Sequence, residues 1–383
     1  MRVLFCFVGG DGHFRPMVPV ARAARAAGHT VACAGAPSMA PTIEAAGFTA
    51  FPSGPDMGAS VERLPLLPLD REREERDLRE GFARRVAPRR ADDLLALFGR
   101  WLPDVVVCDE VDFGAMVAAE RLEVPYASVV VIASGAFLRP EVVAEPLHLL
   151  RALHRLRPDT GLVMLTRHLV LAPFPPSYRH PEFPLPDTGF SFRPAPDGPA
   201  PVPIAVPQDV PTVYFTLGTI FNTESGDLFG RVLAGLRELP VNLVVTVGGR
   251  VDPAEFGPQP PHVRIERYLP QDTVLPRASV VVSHGGSGTV MGSLAHGVPS
   301  VLLPMGADQP DNAARCVALG VGVRLDALTA TPEQVRDAVA GVLADPSYRY
   351  AAERMRDEIA TMPDQSHAVA LLEELADGPR PVR

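Results

Sequence analysis

Val280-Val-Val-Ser-His-Gly-Gly-Ser-Gly-Thr289 reads as a buried strand, a glycine loop and the opening of a helix that continues from Val290 to His296. The glycines let successive backbone N–H groups point into one space, and the start of the helix adds positive partial charge there. Such a loop suits an anionic phosphate. It lacks the G-K-[ST] ending of a P-loop and the G-x-G-x-x-G spacing, which disfavours a plain ATPase and a dinucleotide dehydrogenase.

The same grammar extends outward from this segment. Val213 to Leu217, Leu243 to Val247, Val263 to Ile265 and Ser300 to Leu303 are further strand candidates, separated by helical stretches. At the other end of the chain, Val3 to Val8 runs into Gly9-Gly-Asp-Gly-His13, with Pro16 near the start of an Ala-rich helix and Gly28 just past its end. His29 to Ala34 follows at once as a second strand, giving an opening βαβ unit. Val105 to Cys108, the helical pattern Gly114 to Leu122, and Ala127 to Ile132 continue the layout. The fold class is therefore α/β, with two Rossmann-like domains built on parallel sheets. Between Pro173 and Pro211 lie 13 of the chain's 42 prolines, too dense for helices or central strands. Residues 1–192 are read as the first domain, 193–208 as a Pro-rich linker, 209–361 as the second domain, and 362–383 as a last helix, Met362 to Leu375, with its tail. Asp70 to Asp93 is crowded with alternating charge and holds Gly81 and Pro88; it reads as a solvated helix pair or as an insertion over a cleft.

Composition agrees with this organisation. A chain of 383 residues is about twice what one hydrophobic core supports. Hydrophobic residues are 46% and charged residues 21%, as in folded α/β proteins. Net charge is −9, every basic residue is arginine, and no basic block tracks a phosphate backbone, so nucleic acid is not an expected partner. Cys6, Cys33, Cys108 and Cys316 are scattered without metal-ligand spacing and read as buried thiols of a reducing compartment. No apolar run is long enough to span a membrane, and Val3 to Val8 is too short for a signal h-region, so a cytoplasmic location is expected.

His284-Gly-Gly-Ser-Gly-Thr289, Ala295-His-Gly-Val-Pro299, Pro304-Met-Gly-Ala-Asp308-Gln309 and Asn312 together resemble the donor-binding signature of family-1 glycosyltransferases, above all the actinomycete enzymes that decorate polyketides and other natural products. Gly12-His13-x-x-Pro16, Leu217-Gly-Thr219 and Tyr268-Leu-Pro-Gln271 extend the resemblance over nearly the whole chain. It implies the GT-B architecture, two facing Rossmann-like domains around a cleft, and a nucleotide sugar, dTDP- or UDP-activated, as substrate rather than cofactor. Carried over, it assigns His284, Gly286, Ser287, Gly288 and Thr289 to the diphosphate, with Gly285, Gly218 and Thr219 beside them. Tyr268 stands where relatives usually have a tryptophan stacking on the base, with the Leu269 main chain and Gln271 adjacent. Asp308, Gln309 and Asn312 fall on the sugar.

The same family places its catalytic base at His13. Independently, this histidine follows three glycines at the carboxyl end of a strand, where open α/β sheets place their ligands, and the helix behind it favours a neutral ring. Its expected partner is Asp109, just after Val105 to Cys108, with Glu110 and Asp112 as rivals. Direct displacement by a deprotonated acceptor predicts inversion at the anomeric carbon. The chain has no D-x-D, so metal-independent transfer is expected, with His284 and a helix dipole serving the leaving group. Gly12, Phe14, Met57, Phe82, Phe113, Met116 and Phe137 are candidate walls for a small hydrophobic acceptor. Two alternatives stand beside the transferase: a nucleotide-sugar epimerase of the same fold, and a non-catalytic nucleotide-sugar-binding partner protein. Oligomeric state is open, a homodimer included.

Overall fold

The computed structural model describes residues 1–56, 64–195, 204–218 and 221–378. The chain forms two compact units, one of Met1–Gly58, Arg71–Asp197 and Met362–Arg383, the other of Ala59–Asp70 and Gly198–Thr361. In the first, seven strands are Arg2–Cys6 (β1), Thr30–Gly35 (β2), Thr49–Pro52 (β3), Val105–Asp109 (β4), Tyr126–Val129 (β5), Leu169–Ala172 (β6) and Gly189–Ser191 (β7). They pair in parallel in the order β3-β2-β1-β4-β5-β6-β7. Successive side chains take opposite faces: Val3 and Phe5 pack with Met17, Val20 and Leu372, while Leu4 and Cys6 pack with Leu94, Met116 and Leu147. With both faces covered, a strand is apolar throughout, and that uninterrupted run is what made β1 and β4 legible.

The second unit holds Thr212–Thr216 (β8), Asn242–Thr246 (β9), Val263–Glu266 (β10), Val280–Ser283 (β11), Ser300–Leu302 (β12) and Gly322–Arg324 (β13). All are parallel, in the order β10-β9-β8-β11-β12-β13. In each sheet the chain leaves the central strand one way and returns the other, so the ends of β1 and β4, and of β8 and β11, flank a crevice. The last helix, Gln365–Asp377, belongs to the first unit. Asp364 caps it by accepting from the Ser366 N–H, and Ala368, Val369 and Leu372 join the cluster around β1.

Several expectations require correction. The short strands β3, β6, β7 and β13 were not foreseen; three to four residues carry no periodic signal, and β7 is an edge strand inside the proline-rich region. The strand expected to reach Ile132 stops at Val129, because the amides of Val131 and Ile132 are taken by the Glu110 carboxyl instead. The charged stretch is not a separate helix pair. It is one continuous helical path, Arg71–Arg76, Asp77–Val86 and Ala87–Phe98, with Leu78, Gly81, Ala83, Val86 and Leu94 buried. Of the expected linker, residues 196–203 lie outside the described residues, and Ile204 is already tied to the second unit through the Thr273 carbonyl. All four cysteines are free and buried.

Arg90, in the last part of that helical path, is 1% exposed. Its Nε and Nη2 donate to Asp112 Oδ2 at 3.0 and 2.8 Å, and its remaining N–H groups reach the carbonyls of Ser53 and Ala34 at 2.8 and 2.7 Å. One guanidinium thus ties the ends of β2, β3 and β4 to a helix. Removing it strands a buried carboxylate, so Arg90→Met is expected to lower unfolding free energy by about 3–5 kcal/mol in a denaturant titration. A loss below about 1 kcal/mol would contradict this account of the rim.

Candidate active site

The first glycine loop leaves β1 and turns at Gly10 into a short helical segment, Asp11–Phe14, with His13 N–H and Phe14 N–H both donating to the Gly10 carbonyl. His13 therefore sits inside the first helical turn rather than in the loop before it. Gly9 is the position that allows this: its φ is +86°, and a Cβ there would stand 3.0 Å from His13 Cδ2. The imidazole is folded back over the loop, its side chain 22% exposed.

Of the three acids at and after the end of β4, Asp109 is the one that meets this ring, with His13 Nδ1 3.2 Å from Asp109 Oδ2. The carboxylate is fully buried and already accepts from the Val8 N–H at 2.8 Å through Oδ2 and from the Val111 N–H at 2.8 Å through Oδ1. An ionised carboxylate only accepts, so Nδ1 carries the proton and the Nε2 lone pair is the basic position. The neighbours are committed elsewhere. Asp112 pairs with Arg90 and caps Phe113–Arg121 by accepting from the Ala115 N–H. Glu110 Oε1 accepts from Val131 and Ile132 N–H at 2.7 and 2.6 Å, and burial pushes its carboxyl up to about 7.

The expected acceptor walls divide. Phe14, Phe113 and Met116 are at most 2% exposed and pack in the core. Their place is fixed by helical and sheet-facing positions that must be apolar in any case. Phe82 and Phe137 are half-buried and Gly12 is exposed, while Met57 lies outside the described residues.

In the second unit the loop after β11 leads into helix Ser287–Ala295. The first backbone bond there is Val290 N–H to the Gly286 carbonyl, so the amides of Gly288 and Thr289 precede the ladder. A Cβ at Gly288 would meet nothing within 4 Å, whereas at Gly286 it would stand 2.5 Å from His284 Nε2 and at Gly218 2.7 Å from His284 Cε1. The His284 ring is packed between those two glycine backbones, and burial pushes its pKa down to about 4. With its pKa pushed down by burial the ring favours the neutral form near pH 7, in which it serves as a neutral hydrogen-bonding group.

Around this helix start, Asp308 Oδ2 accepts from Ser287 Oγ and Asn312 Nδ2, both at 2.7 Å, and Asn312 Nδ2 also reaches the Gly285 carbonyl at 3.0 Å. Gln309 is buried and its Oε1 accepts from the Met305 N–H. Ala307, immediately before Asp308, has φ +50°, a left-handed conformation that a non-glycine residue adopts at a cost of about 1–2 kcal/mol. Gln271 Nε2 donates to Thr289 Oγ1 at 3.0 Å, joining the segment after β10 to the loop after β11. Tyr268 is 52% exposed, with Leu269 half-buried beside it. Thr219 lies outside the described residues. A groove of about 540 Å³ beneath Ile204–Gln208 and Arg277 lies at the starts of β8 and β11, opposite the glycine loops, and contains none of these residues. Sequence reasoning missed Arg90 and Ala307; a lone arginine in a charged run and an alanine in a loop carry no local signal.

Comparison with known proteins places this geometry. Residues 22–182 match the N-terminal domain model, and residues 230–375 the C-terminal domain model, of the erythromycin biosynthesis protein CIII-like family. The chain is 31% identical to 10-deoxymethynolide desosaminyltransferase of Streptomyces venezuelae, covering 98% of this chain and 97% of that protein. It is 32% identical to TDP-daunosamine transferase DnrS of Streptomyces peucetius, covering 98% and 97%. Among solved structures, spinosyn rhamnosyltransferase SpnG complexed with thymidine diphosphate superposes with a TM-score of 0.81 at 26% identity, over 97% of this chain and all of that one. These relatives transfer sugars, which sets aside the epimerase and the non-catalytic alternatives. With two Rossmann-like units matched along almost their whole length, the chain belongs to the erythromycin biosynthesis protein CIII-like family, the GT-B glycosyltransferases of antibiotic and natural-product biosynthesis.

Proposed function

We propose that this protein is an inverting, metal-independent glycosyltransferase that moves a sugar from a dTDP- or UDP-sugar to a small hydrophobic natural-product acceptor. The observation that carries the reading is the contact of His13 Nδ1 with buried Asp109, which presents Nε2 as a base at the end of β1. Nε2 takes the acceptor's proton, and the freed oxygen attacks the anomeric carbon. The bond from that carbon to the diphosphate oxygen breaks as the new one forms, and the nucleoside diphosphate leaves with the electron pair. Asp109 stabilises the resulting imidazolium and holds its tautomer. A single displacement inverts the configuration.

On the donor side, the amides at the start of Ser287–Ala295 and the uncrowded space at Gly288 suit the diphosphate. The half-exposed Tyr268 stands where the family stacks an aromatic ring on the base, and Asp308, held by Ser287 and Asn312, suits sugar hydroxyls. The dTDP named in the structure of SpnG supports a thymidine nucleotide. Helix amides and a neutral His284 would carry the leaving group's charge without a metal ion.

Three outcomes follow from these roles. His13→Ala is expected to lower turnover at least ~10²-fold, and Asp109→Asn to lower it while leaving dTDP affinity intact; near-parental turnover in His13→Ala removes the base. Gly288→Ala is expected to keep its melting temperature, since the position is helical and open, yet to weaken dTDP binding roughly tenfold by calorimetry, as the methyl intrudes where phosphate oxygens approach. Unchanged dTDP affinity would move the diphosphate elsewhere.

The third outcome concerns acid. His284 prefers its proton in the unfolded chain, at the ordinary value of 6.5, over the folded one at about 4. Its stabilising effect is therefore complete above pH 6.5 and is lost as pH falls toward 4. Between pH 7 and 5 this amounts to about 2 kcal/mol, which His284→Gln should delete from the pH dependence of unfolding. Equal losses in parent and variant would contradict the buried neutral ring.

A further inference from the structure

The ring of Phe82 lies beside the imidazole of His13, with centroids 6.2 Å apart and planes inclined by 26°. Phe82 comes from the middle of Asp77–Val86, a ten-residue stretch of wide turns closed by i→i+5 hydrogen bonds. Its buried residues are Leu78, Gly81, Ala83 and Val86. Such turns are rare and short, and they recur at functional sites.

Pro88 accounts for one end of the stretch. In an α-helix its ring would press on the carbonyl of Arg84, and here the Ala87 N–H donates to the Phe82 carbonyl. Proline does not account for the earlier turns. Both ends of the path are held: Arg90 by Asp112 and two strand-end carbonyls, and Arg71 by the Ala136 carbonyl. Each wide turn uses one residue more than an α-turn, so narrowing them between fixed ends would carry Phe82 around the helix axis and away from His13.

We propose that Phe82 is a positioning residue for the base, its ring flanking the imidazole and excluding water from that side of it so that Nε2 serves the acceptor rather than solvent. This rests on the reading of His13 as the base. Without the ring, water can take the acceptor's place: its oxygen bonds to the anomeric carbon, its proton passes to Nε2, and the diphosphate departs with the electron pair, leaving free sugar.

The test follows transfer and acceptor-free release of sugar from dTDP-sugar in Phe82→Ala, Phe82→Leu, Phe82→Tyr and His13→Ala. Transfer kcat in Phe82→Ala is expected to fall about tenfold, within the range of general-base effects, while the ratio of hydrolysis to transfer rises by a similar factor. Phe82→Tyr, which keeps a flat ring, restores both. A rise in acceptor KM alone, with kcat and hydrolysis unchanged, would show Phe82 to be only a wall and overturn the proposal. Should Phe82→Ala melt below assay temperature, Phe82→Leu decides: it keeps bulk without the ring face, and parental partitioning in it also overturns the proposal. Retained transfer in His13→Ala would instead sink the base itself, a separate failure.

Discussion

The divergence of the chain at the middle of each parallel sheet is the constraint on which the rest depends. Strands β1 and β4 are neighbours, yet the connections leaving them go to opposite sides, so no crossover covers the space where both end. That uncovered rim receives His13 from one strand and Asp109 from the other. In the second sheet β8 and β11 repeat the arrangement, with Gly218 after one and the His284–Thr289 loop after the other. A polar site can stand there because backbone amides at strand and helix ends are still in want of partners.

What stabilises the first rim is a pair of buried acids with different duties. Asp109 is saturated by the Val8 and Val111 amides and His13, so its charge is spread over hydrogen bonds that also fix the two strand ends. Asp112 is matched to Arg90, which reaches across to β2 and the residue after β3. A charge taken out of water is tolerable only with such partners. The same helical path that supplies Arg90 supplies Phe82, so the clamp on the rim also bears on where that ring stands beside His13.

The second rim works with less charge. Burial leaves His284 neutral, and the positive potential available to a diphosphate comes from peptide dipoles at the start of Ser287–Ala295. Asp308, Ser287 and Asn312 are tied to each other, and the left-handed Ala307 turns the chain so that Asp308 heads its helix. A strained residue beside a polar cluster is paid for by the surrounding bonds and keeps the cluster in one arrangement.

The sequence by itself determined the parallel strands that are buried on both faces, the two glycine loops and the chemistry these loops can host. Each of those is a local property, carried by an uninterrupted apolar run or by residues adjacent in the chain. The family resemblance added the roles of single residues. The resemblance and the position after a strand put Asp109 ahead of Glu110 and Asp112 as the neighbour of His13, and the fold brings those two side chains together; only the tertiary structure sent Phe14, Phe113 and Met116 into the core and turned a charged run into a wide-turned helix carrying Phe82 and Arg90. Those outcomes depend on contacts between residues far apart in sequence, such as Arg90 with Ala34 or His13 with Asp109, where burial and hydrogen-bond saturation decide among residues that look equivalent along the chain.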